Sequence, residues 1–139
     1  MQSSGFTTVN PSTGEQIETF SFYNSSEIEE ALARAEKSFQ SFRKLPLHRR
    51  AELLSDLAKT LRKNETQLAK VITIEMGKIF SEAAAEIEKC AWEADWYAEH
   101  GPQMLADAPA PTGGINAYVS YLPLGRSSQS CNGIFPSGN

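Results

Sequence analysis

Long apolar runs are missing from this sequence. No stretch approaches the roughly 20 consecutive apolar residues that a membrane-spanning helix needs. Met1 to Gly5 offer neither a basic start nor an apolar segment, which predicts a chain not addressed for export. Cysteine is scarce as well: Cys90 and Cys131 are too few for a disulfide framework, and with only His48 and His100 beside them they show no zinc-ligand spacing. A reducing, cytoplasmic setting is expected. An excess of positive charge is also absent. Thirteen Lys and Arg stand against 17 Asp and Glu, a net charge of -4, whereas binding to a phosphate backbone draws on clustered Lys and Arg. Nucleic acid and membrane are both excluded as expected partners.

What is present is 139 residues, 40% hydrophobic and 22% charged, the composition of one ordinary globular domain. A domain of this size buries roughly two thirds of its unfolded surface, provided its amphipathic elements have each other to pack against. Residues 6 to 22 read as a β-hairpin. Its turn is Asn10-Pro11-Ser12-Thr13-Gly14, where proline presets φ and glycine accepts a positive one. Ser26 followed by Glu29 reads as a capping box opening a first helix. Its Ile28, Ala31, Leu32, Ala35, Phe39 and Phe42 step by three and four, as one helical face does.

Pro46 in a first turn introduces a second helix from about Leu47 to Lys63, with Ala51, Leu54, Leu57, Ala58 and Leu61 on one side. Asn64 with Gln67 repeats the cap signal for a third helix, and Gly77 supplies its left-handed stop. A fourth helix is expected from about Ile79 to His100, closed by Gly101-Pro102, with Ala83, Ala84, Ile87, Cys90, Ala91, Ala94, Tyr97 and Ala98 on a wide apolar face. A Pro/Ala/Gly linker at 106 to 114 leads to a strand from Ile115 to Leu122, which alternates as strands do. Of the last fourteen residues, ten are Ser, Gly, Asn, Gln or Pro, and no period survives. That stretch predicts a disordered tail.

Little in this pattern carries chemistry. Gly113-Gly114 and Gly133 do not form a phosphate-cradling loop between a strand and a helix. Cys90 sits on the apolar side of a helix without a base at a helical neighbour position, the setting of a structural thiol. Cys131 lies in the unpatterned tail, which offers no scaffold to position a nucleophile. Lys78, after Glu75-Met76-Gly77, reads as a complement to a helix dipole. Glu82, Glu86, Glu88, Glu93, Asp95 and Glu99, with Lys89 among them, read as a solvated helix face. Trp92 and Trp96, one turn apart, are either a binding stripe or packing that awaits a partner. No catalytic, cofactor-binding or metal-binding residue is assigned.

Taken in order, several segments resemble the N-terminal part of an NAD(P)-dependent aldehyde dehydrogenase, most of all the bacterial succinate-semialdehyde branch. They are Val9 to Glu15 in the hairpin, Arg49-Arg50-Ala51 with Leu54, Thr73 to Lys78, Glu82-Ala83 with Glu86 to Ala91, Tyr97 to His100, and Tyr121 to Gly125. Ile79 stands where the family often has proline. The resemblance implies an α+β fragment of an α/β enzyme: an N-terminal β-hairpin, four helices and one C-terminal edge strand. It implies a parent that binds NAD or NADP, forms a thiohemiacetal on a catalytic cysteine and uses a glutamate base. None of those catalytic residues falls inside the matched stretch. Residues 1–125 are therefore expected to be the N-terminal part of the cofactor and oligomerisation region, inactive alone and unable to hold the cofactor well.

After Pro-Leu-Gly the family continues with an apolar strand and Trp-Asn-Phe-Pro. Read two nucleotides along, codons allowed for Arg126 to Asn139 can spell Val-Ile-Ala-Val-Met-Gln-Trp-Asn-Phe-Pro-Phe-Trp-Gln. A one-base deletion near codon 126 is thus expected, making 126–139 a frameshifted tail; a base lost in reading the gene, not from the gene itself, is the variant of that reading. The expected partners are a second copy of the chain or a full-length dehydrogenase, because an open strand edge and uncovered helix faces favour association. The rival reading is a non-enzymatic helical interaction module.

Overall fold

The computed structural model describes residues 5–111, 117–125 and 127. Strands β1 (Gly5–Val9) and β2 (Gln16–Ser21) pair antiparallel, with Phe6 opposite Phe20 and Thr7 opposite Thr19. The two threonine hydroxyls meet at 2.8 Å and the two phenylalanine rings stack at 5.2 Å, the cross-strand contacts that hold so short a ladder. Asn10 makes the turn: its side chain accepts the Ser12 N–H at 2.9 Å and its carbonyl accepts the Gly14 N–H at 2.8 Å. Gly14 takes a φ of 76°, as the turn composition predicts.

Four helices follow: α1 (Ser25–Phe42), α2 (Leu47–Lys63), α3 (Glu65–Met76) and α4 (Phe80–Met104). The hairpin and the four helices are the architecture expected from the sequence, and α2 has the expected limits. The first capping box is displaced by two residues. Asn24, not Ser26, is the N-cap, accepting the Glu27 N–H at 3.1 Å, while the Glu27 carboxylate accepts the Asn24 N–H at 2.7 Å. Both residue pairs satisfy the same spacing rule, and the helix begins early enough to place Ser26 inside its first turn.

Asn64 stands between α2 and α3, but its side chain closes the earlier helix instead of opening the later one. It donates to the Thr60 carbonyl at 2.8 Å and makes no cap bond to α3. The fourth helix runs past Gly101-Pro102 to Met104. A proline there forfeits one hydrogen bond in the last turn, yet the turn closes through Leu105 N–H to the Gly101 carbonyl at 3.1 Å. Gly101, Pro102 and Leu105 share the wall of a small cavity with Leu47 and Leu54 of α2. The region expected to be a plain linker contains strand β3 (Ala108–Pro109), which pairs antiparallel with β4 (Tyr118–Val119). Of the strand expected over 115–122, Ile115 and Asn116 lie outside the described residues, and among the others only Tyr118–Val119, which pair with β3, are strand. Gly113, Gly114, Cys131, Gly133 and, apart from Ser127, the tail at 126–139 also lie outside the described residues.

The packing centre is α4, against which both α2 and α3 lie. Ala58 of α2 meets Ala91 and Ala94 of α4, with Leu61 against them, and Ala69, Ala83 and Ile87 are also buried. No large side chain is fully buried among the described residues. Helices meeting through alanine approach closely, and their larger apolar side chains are left at the margins.

Gly77 ends α3 with a φ of 70°, the left-handed stop. A Cβ on it would come within 2.9 Å of Pro11 Cγ, so the hairpin turn rests on this glycine. Gly77→Ala carries both the left-handed strain and that clash. It is expected to lower the stability to urea by about 1–3 kcal/mol, read as a fall in the denaturation midpoint; an unchanged midpoint would contradict the contact.

Candidate functional site

The densest polar arrangement joins the last turn of α2 to α4. Arg62 extends its guanidinium between two carboxylates one another's neighbours along α4, since residues seven apart share a helix face. Its Nε donates to Glu88 Oε1 and Oε2 at 3.1 and 3.0 Å, its Nη2 donates to Glu88 Oε1 at 3.0 Å, and its Nη1 donates to Asp95 Oδ2 at 2.6 Å. Both carboxylates push the already high pKa of Arg62 further up, through these hydrogen bonds first. A raised folded-state value means that the clamp is complete below the ordinary arginine range and lost only above it, so it persists across neutral pH. This departs from the reading of Glu88 and Asp95 as a merely solvated face. Spacing alone gives no signal for it, because two acids at i and i+7 are equally the pattern of a solvated face and their partner comes from another helix.

A second pair closes the other end. Lys78 Nζ donates to Glu86 Oε2 at 2.6 Å, with the Glu86 side chain only 16% exposed. Lys78 thus ties the α3–α4 corner to α4 and does not serve as the dipole complement expected of it. A little farther on, the ring of Trp96 stacks on that of His100 at 4.4 Å, with Tyr97 edge-on at 5.1 Å. His100 Nδ1 lies 2.9 Å from the Trp96 carbonyl oxygen. Trp92 is 58% exposed one turn earlier. The two tryptophans therefore lie on the uncovered side of α4.

Cys90 is half-buried and free. Burial pushes its thiol pKa up from the ordinary 9.0, and the carboxylates of Glu93 and Glu86 push in the same direction. At neutral pH it is a protonated thiol, the opposite of the thiolate that nucleophilic catalysis requires. Among the described residues no three His, Cys, Asp or Glu side chains are grouped to hold a metal ion. The cavity between α2 and the end of α4, walled by Leu47, Leu54, Tyr97 and Leu105, measures about 70 Å³, far below the roughly 300 Å³ at which small-molecule sites begin. The hydroxyl of Thr73 is buried without a hydrogen-bond partner. No described helix is long and apolar enough to cross a membrane. The arrangement can fix helices against one another; among the described residues it sets no nucleophile beside a base.

Two measurements follow from these groups. Arg62→Ala removes the guanidinium that Glu88 and Asp95 share and is expected to lower the melting temperature, with the difference shrinking at high salt because the clamp is partly exposed. Arg62→Lys is expected to recover only part of the loss, since an ammonium lacks the guanidinium fork. For Cys90, a folded pKa above the unfolded one means a stability contribution present below the ordinary value and declining as pH rises past it. In a Cys131→Ser chain, alkylation of Cys90 should therefore accelerate at more alkaline pH when folded than when unfolded in urea. Coincident profiles would contradict the burial effect.

Comparison with known proteins gives these features a setting. A model of the aldehyde dehydrogenase family matches residues 1–130. The succinate semialdehyde dehydrogenase of Escherichia coli K12, named for NAD(P)+, is 42% identical over 117 residues, covering 84% of this chain and 25% of its own. A probable NADP+ succinate-semialdehyde dehydrogenase of Synechocystis is 36% identical over 118 residues, covering 85% and 26%. Among solved structures, the Streptococcus pyogenes succinic semialdehyde dehydrogenase in complex with NADP+ superposes with a TM-score of 0.72 at 32% identity, over 77% of this chain and 24% of that one. The Burkholderia pseudomallei succinate-semialdehyde dehydrogenase gives 0.68 at 29%, over 78% and 23%. The chain spans about a quarter of the length of the curated relatives it matches.

Proposed function

The chain belongs to the aldehyde dehydrogenase family, and from that membership we propose that it is the N-terminal scaffold of an NAD(P)-dependent semialdehyde dehydrogenase, inactive by itself. The observation that carries this reading is the mismatch between its core and its surface. Every fully buried residue among the described ones is alanine, while Phe22, Ile79, Trp92 and Tyr97 are each more than half exposed. Trp92 and Tyr97 stand on α4, Phe22 just after β2 and Ile79 at the N-cap of α4, surfaces that further chain would cover. The clamp of Arg62 and the Lys78–Glu86 pair hold those faces in fixed relation, which is the contribution of a scaffold.

In a complete enzyme a bound NAD(P)+ would supply the hydride acceptor for oxidation of an aldehyde, with water, to a carboxylic acid. The nucleophile that attacks the carbonyl, and the amides that steady the oxyanion, are assigned to the sequence that follows the family's Pro-Leu-Gly. Cys90 is not assigned that role, because its half-burial in α4 and the nearby Glu93 and Glu86 carboxylates oppose formation of a thiolate. The back-reading of Arg126 to Asn139 supports a one-base deletion near codon 126 as the origin of the present tail. A free, half-buried thiol suits the reducing, cytoplasmic setting.

The purified chain is expected to give no reduction of NAD+ or NADP+ with succinate semialdehyde. A chain expressed with one base restored at codon 126 is expected to give it. Activity of the 139-residue chain would overturn the scaffold reading, and a restored frame that fails to run through Trp-Asn-Phe-Pro to a cysteine would overturn the frameshift.

A further inference from the structure

We draw no further inference here: the strongest candidate, the exposed aromatic patch on α4 around Trp92 and Trp96, carries none because nothing in the structure shows what covers it.

Discussion

Alanine at 58, 91 and 94 sets how near α2 and α4 can come, and the other contacts are arranged around that approach. With alanines at their closest contact, the two helices bring the end of one within reach of carboxylates on the other, where Arg62 spans Glu88 and Asp95. The third helix returns along the same partner through Ala69, Ala83 and Ile87. Its stop at Gly77 gives the hairpin turn a place to rest, through Pro11. A larger residue in the alanine seam would move the ion pairs and the turn together, because interiors transmit such changes and do not absorb them.

Much of the fold was legible in the sequence for identifiable reasons. The limits of α2, the hairpin turn and the left-handed stop at Gly77 each depend on residues acting within a few positions of themselves. The features misplaced by the same reading depend on partners distant in sequence, or on two local signals of equal merit. Asn24 and Ser26 both precede a glutamate by three, and spacing alone does not rank them. Pro102 reads as a terminator by its residue type alone, whereas the turn that contains it continues the helix and shares a cavity wall with Leu47 and Leu54 of α2. The strand at Ala108–Pro109 is two residues long and exists through its pairing with Tyr118–Val119.

The candidate site follows the same division. That Cys90 is structural could be argued from its place on an apolar helix face, and its raised pKa agrees with that argument. That Glu86, Glu88 and Asp95 are engaged could not, because their partners Lys78 and Arg62 come from other parts of the chain. The family was legible because short motifs recur in order over most of the length, a signal independent of any one contact. Trp92 and Trp96 remain on an uncovered side of α4, as the choice between stripe and waiting packing left open.

The alanine seam also bears on how the chain responds to heat. Alanine has no rotamers to lose, so bringing α2 and α4 together freezes almost no side-chain freedom at the contact. It also withdraws little apolar surface from water, and the heat capacity of unfolding is set chiefly by such surface. A body joined in this way has a flat free-energy curve against temperature: neither cold nor moderate warmth changes its stability much, and its unfolding spreads over a wide interval with a small enthalpy.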